Sequence, residues 1–279
     1  MMRYVSTGYL LISLLLLGVS LPLSNEASNV SPDHRSPDAK ATATPTDSLI
    51  IEARSLLQEG VNTADRGMME RARTQFERAT ADDTYAALAH YYAGLSNYRL
   101  ASIFLEADDM PISNYLDAAD HHLETAIDLD PQLADAYALQ SSVYGLKISH
   151  RPWRAVTLGR ASGTLMEQAL ELEPNNPRVV LLKAQSDFHT PSAFGGDKDN
   201  ALEGFKKAAN LFEEKEDSDP LQPQWGHEEA YVWIGIAHAE EERYAAARTA
   251  FERALEINPD YGWVKYELLP EMTRADADS

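Results

Sequence analysis

Residues Glu228–Tyr261 read EEAYVWIGIAHAEEERYAAARTAFERALEINPDY. Counting Glu228 as position 1, Gly235 stands at 8, Ala247 at 20 and Ala254 at 27. Large side chains fill the positions between: Tyr231 at 4, Ile234 at 7, Tyr244 at 17 and Phe251 at 24. Small residues at 8, 20 and 27 let two antiparallel helices approach closely, while the large ones occupy the space between neighbouring helix pairs. Pro259, at 32, ends the second helix because its ring cannot continue one. The stretch therefore predicts a helix, a turn and a second helix.

The same phase runs backwards through the chain. Gly60, Ala72, Phe76 and Ala79 hold positions 8, 20, 24 and 27 of a unit spanning 53–86, and Gly94 follows Gly60 by one period of 34. Ala119, Leu123, Ala126 and Pro131 complete a second unit, 87–133, after a 13-residue insertion. A third, 134–176, carries Tyr137, Tyr144, Met166, Ala169 and Pro174 with nine extra residues. A fourth, 177–215, carries Ala184, Ala201, Phe205 and Ala208 with five. The third unit has Ser141 at 8 and Ser162 at 20, and the fourth has Glu213 where Pro is expected at 32. The pattern resembles the tetratricopeptide repeat, with five units over residues 49–272 and a short closing helix near Tyr261–Met272. The resemblance implies an all-α, right-handed superhelical solenoid of about eleven helices, whose first helices line a concave face. A lone helix pair leaves an apolar face bare, so stacking supplies the stability.

NNPRVVLLKAQSDFHTPSAFGGDKDNALEGFKKA, followed by QPQWGHEEA, narrows the resemblance to exported bacterial tetratricopeptide proteins with Asn-Pro-Arg, Thr-Pro…Phe-Gly-Gly and Pro-x-Trp-Gly in this order. That group carries no defined reaction. Within it, Asn176 is expected to cap a helix opened by Pro177. Gly195-Gly196-Asp197 reads as a turn, glycine supplying a positive φ and Asp197 capping the next helix. A calcium loop needs oxygen ligands at regular spacing, and a phosphate cradle needs a strand before it and Lys-Ser/Thr after it; neither is present. Trp225 is expected to cover an apolar hole beside the 190–194 insert.

The chain has 279 residues and a formal charge of −20, from 44 acids against 24 bases, so it repels nucleic acid and anionic surfaces. It has no cysteine, which excludes disulfides, thiolate metal sites and cysteine nucleophiles. Its start, MMRYVSTGYLLISLLLLGVS, has one Arg, an apolar run from Tyr9 to Val19, and small residues at 18 and 20. This predicts a secretory signal over 1–20, cleaved after Ser20, or an uncleaved anchor, and so a periplasmic or secreted protein. Residues 21–48 read as a disordered linker and 273–279 as an acidic tail.

Eight histidines make no HExxH or other zinc spacing, and no Gly-x-Ser-x-Gly occurs. His121 and His122, near Asp117 and Asp120, could form a surface metal site but read better as a solvated helix face. No enzyme activity, cofactor or metal is expected. The resemblance implies partner binding through positions 2, 5, 9, 12 and 13 of each first helix, here including Tyr91, Tyr98, Arg99, Arg178, Gln185, Phe188 and His189. Leu57 and Val61 in the first unit replace the Lys and Asn that clamp a terminal carboxylate in chaperone-binding members. A second candidate surface is the acid-free stretch from Ala136 to Met166, with Arg151, Trp153, Arg154 and Arg160 in the third unit's insertion. These arginines either dock an acidic partner or neutralise the chain's own acidic loop at 106–109. The expected function is an exported, non-enzymatic protein- or peptide-binding scaffold. The alternative is a small-ligand carrier of an envelope transport system, its pocket formed by the inserts near 150–160 and 190–194.

Overall fold

The computed structural model describes residues 44–105, 107, 111–214 and 219–278. The export segment, most of the linker and the acidic loop at 106–109, apart from Ala107, lie outside the described residues. Within them the chain forms eleven α-helices and no strand: α1 (Pro45–Thr63), α2 (Arg66–Ala79), α3 (Ala86–Ile103), α4 (Ile112–Leu129), α5 (Ala134–His150), α6 (Ala155–Leu172), α7 (Pro177–His189), α8 (Lys198–Glu214), α9 (His227–Glu240), α10 (Tyr244–Ile257) and α11 (Leu269–Asp278). A π-helical stretch, Val264–Leu268, leads into α11. None of these helices is long and apolar enough to cross a membrane. Helices pair as hairpins, α1 with α2 through α9 with α10, and each hairpin packs on the next.

The small positions lie where the helices touch. A Cβ on Gly60 would stand 2.8 Å from Met69 Cγ, and one on Gly94 would stand 2.7 Å from Leu123 Cγ. One on Gly235 would enter the ring of Phe251, which is wholly buried. Gly235→Val is therefore expected to cost about 1–3 kcal/mol through overpacking. Urea unfolding of the variant against the parent measures it. The third unit keeps close approach by other means. Ser141 Oγ donates to the Ser162 carbonyl at 2.9 Å, and Ser162 Oγ donates to the Ser141 carbonyl at 3.1 Å. The hydroxyls take up one another where glycine and alanine would leave room.

Local signals set most boundaries. Asn176 accepts from the Arg178 amide at 2.9 Å and opens α7 with Pro177. Gly195 has φ 93°, and Asp197 Oδ1 accepts from the Asn200 amide at 3.0 Å, so Gly-Gly-Asp is the expected turn and cap. α10 stops before Pro259, whereas α8, with Glu213 in that place, runs to Glu214. The ends differ from expectation. Thr44 and Asp47 form a capping box that starts α1 at Pro45, inside the expected linker. At the other end, α11 continues through the expected acidic tail to Asp278. The third unit's nine extra residues are not a loop. They lengthen both helices to 17 and 18 residues and leave a single 3-10 turn, Pro152–Arg154, between them.

Candidate functional site: a groove crossed by its own strap

The odd-numbered helices face one concavity of about 3390 Å³, with α6 and the C-terminal helix as further walls. Part of this concavity is already occupied. Residues 219–226, between α8 and α9, run through it as a strap, a turn at 219–222 followed by irregular chain, held by side chains from three helices. Arg54 of α1 donates to the carbonyls of Pro220 and Gln222, the latter at 3.0 Å, and to the Gln224 side chain. Tyr92 of α3 donates its hydroxyl to the Leu221 carbonyl at 2.7 Å. Arg178 of α7 donates to the Pro223 carbonyl at 2.8 Å. Trp225 is buried and donates Nε1–H to Tyr91 Oη at 2.9 Å, with the Arg99 guanidinium 5.0 Å above its ring.

These donors are themselves fixed. Arg178 is buried and donates Nε to Asp135 Oδ1 at 2.6 Å, while Asn176 donates to Asp135 Oδ2 at 2.9 Å. Arg99 pairs with Glu229 of α9. Glu228 accepts from Gln58 of α1 at 3.1 Å and from Asn258 at 3.2 Å, and Asn62 exchanges hydrogen bonds with Asn258. Here the first and last repeats meet. Burial, with Glu229 beside it, raises the Glu228 carboxyl above its usual range. Burial of Tyr91 raises its phenol likewise, so it stays neutral as an acceptor for Trp225.

The nominated groove residues therefore divide. Tyr91, Arg99 and Arg178 are committed to the strap and to α9. Phe188 is buried against Phe205 and Trp233, with ring centroids 6.0 and 5.8 Å away. Tyr98, Gln185 and His189 line the part of the concavity that stays open. His189 opens onto the concavity, its ring edge-on to Trp233 at 5.1 Å, and desolvation by the surrounding groove walls lowers its pKa and favours the neutral imidazole. Three exposed large apolar residues stand at this open end: Val156 of α6, Phe194 of the 190–194 insert and Tyr266 before α11. The mouth is thus apolar and aromatic, with Arg160 and the paired Lys198 and Glu240 among its charges.

Sequence reasoning missed the strap, and it placed Trp225 beside the insert, whereas the side chain lies against Tyr91 and Arg99. The basic insertion also resolves into separate parts. Lys147 is buried and takes Asp117 at 3.0 Å and Asp120 at 2.7 Å, whereas Trp153 is 77% exposed beside Arg151 and Arg154. Arg160 faces the groove.

Among the described residues no group of three or more acids and histidines could hold a metal. His122 is instead half-buried, its Nδ1 3.0 Å from His90 Nδ1 and its Nε2 3.9 Å from Glu77. Burial, then His90, His121 and Arg73, push His122 down to about 4, and burial also lowers His90. An unfolded histidine titrates near ~6.5. The unfolded state therefore binds more protons below that pH, and stability, full above it, falls as pH drops towards 4. The urea midpoint is expected to decline across that window, with a smaller decline in His122→Gln.

A profile of the tetratricopeptide repeat matches residues 228–261. No curated protein matches the chain. Among solved structures, a haemophore, HusA, from Porphyromonas gingivalis is 26% identical, with a TM-score of 0.58 over 71% of this chain and 94% of its own. A thermophilic tetratricopeptide-repeat protein of Thermus thermophilus is 18% identical, with a TM-score of 0.54 over 81% of this chain and 99% of its own. The fold is a tetratricopeptide-repeat solenoid. In this solenoid Arg54, Tyr91, Tyr92 and Arg178 grip the chain's own strap, while Tyr98, Gln185 and His189 line the open groove.

Proposed function

We propose that the chain is an exported, non-enzymatic scaffold that binds a protein or peptide partner in the open end of its groove. The observation that carries this reading is the open mouth itself. Exposed Val156, Phe194 and Tyr266 share the concavity with Tyr98, Gln185 and His189, a mixture of aromatic and polar side chains suited to burying an apolar segment and fixing its backbone. Export rests on the apolar run 9–19 and the small residues at 18 and 20. The partner is captured from the exporting cell by crosslinking and identified by mass spectrometry. Tyr98→Ala with Phe194→Ala is expected to cut capture about tenfold or more, as loss of two aromatic anchors does. Unchanged capture would remove the groove from the reading.

A second reading has its own observation. The haemophore from Porphyromonas gingivalis shares 26% identity with this chain over nearly its whole length. An apolar groove rimmed by aromatic side chains also suits a small, flat, apolar ligand, which makes the chain a carrier for an envelope transport system. Titration with haem, followed by its absorbance, separates the two. A saturable spectral change lost in Phe194→Ala supports the carrier, and its absence leaves the polypeptide scaffold.

A further inference from the structure

The turn of the α5–α6 hairpin carries a second surface, formed by Arg151, Trp153 and Arg154, none of which lines the groove, whereas Pro152, Val156 and Arg160 do. From Ala136 to Met166 the hairpin contains no acid, within a chain of formal charge −20. The single 3-10 turn Pro152–Arg154 joins its two helices. No residue from Ala155 to Leu165 is buried. At the turn, Trp153 is 77% exposed.

Among the described residues, Asp117 and Asp120 of α4 share Lys147, which leaves one negative charge beside Arg151 and Arg154. Arg151 donates to the neutral Ser113 hydroxyl at 2.8 Å. The sum is a positive end on an acidic body. The dent beside it, between Ser113 and Arg154, holds about 10 Å³, too little to receive a partner's side chain. A headgroup layer needs no prior shape. It accepts tryptophan at its boundary and pairs its phosphates with arginine.

We propose that this hairpin end docks on an anionic lipid surface, with Trp153 entering the headgroup layer and Arg151 and Arg154 meeting its phosphates. The body's own charge then sets the orientation. Every acidic face is repelled, and that repulsion fades within a Debye length of about 8 Å at physiological salt, so approach is hairpin-first.

The test uses the full chain and vesicles containing brominated lipids, one third of the lipid being phosphatidylglycerol. Of the four tryptophans only Trp153 is exposed, so quenching reports its insertion even if residues 9–19 also bind the vesicle. Quenching is expected with anionic vesicles, and it should fall about tenfold or more with neutral ones or in Arg151→Glu/Arg154→Glu. It should vanish in Trp153→Leu while far-ultraviolet circular dichroism stays unchanged. Quenching that persists in Trp153→Leu would overturn the proposal, as would its absence on anionic vesicles. A Trp153 emission shift induced by polyglutamate but not by vesicles would assign the end to an acidic polypeptide and equally overturn it.

Discussion

Asp135→Ala is expected to lower the free energy of unfolding by about 3–5 kcal/mol, the cost of leaving a buried charge without its partner. Arg178 is 3% exposed and makes two of its hydrogen bonds to the Asp135 carboxylate. Removing that carboxylate also strips the cap residue Asn176 of an acceptor. The double variant Asp135→Leu/Arg178→Met separates the causes. If the loss comes from the orphaned guanidinium, the double variant should recover a substantial part of it, since buried pairs are often replaceable by apolar side chains. Recovery should stay incomplete, because Arg178 also holds the Pro223 carbonyl of the strap. Urea unfolding of the two variants and the parent gives all three numbers.

The second large effect is expected at Trp225. Replacing it with alanine empties a buried site beneath Arg99 and removes the donor to Tyr91, a change that costs about 3–5 kcal/mol in a close-packed interior. Trp225→Phe keeps most of the volume and loses only the hydrogen bond, so it should cost far less, about 1–2 kcal/mol. A strap that merely rested on the surface would make both substitutions nearly silent. The pair therefore measures whether residues 219–226 belong to the folded core.

The solenoid was legible because it rests on local chemistry repeated at fixed phase. Gly60, Gly94 and Gly235 announce close helix contacts, Asn176-Pro177 announces a helix start, and Pro259 announces an end. Even the departures had readable consequences: without proline at position 32, α8 runs three residues longer than α10. The Ser141–Ser162 exchange needed coordinates, since two serines 21 residues apart carry no signature of pairing.

The site was legible only in outline. At position 9, Leu95, Ser142, Gln185 and Ile236 line the concavity. Arg54 and Arg178 at position 2, with Tyr91 and Tyr92, meet instead a segment lying 129 and 134 residues beyond its tyrosine partners and gripped largely through its backbone carbonyls. Carbonyls are the same for every residue, so nothing in DPLQPQWG names Arg54, Tyr92 or Arg178 as its donors. The one signal available was the tryptophan among prolines and glycine, and it gave burial without a location. The hairpin end was visible as an acid-free stretch, but not as a single 3-10 turn between two helices, because an insertion of nine residues predicts a loop as readily as two longer helices.

The strap seals off the part of the groove over Tyr91 and leaves the rest open to the proposed partner. Site-specific photo-crosslinking in the cell of origin probes that division, with the photoreactive residue at Gln185 in the open part or at Tyr91 beneath the strap. Partner adducts are expected from Gln185, and from Tyr91 only crosslinks within the chain. Partner adducts at Tyr91 as strong as those at Gln185 would show that the strap does not close the groove.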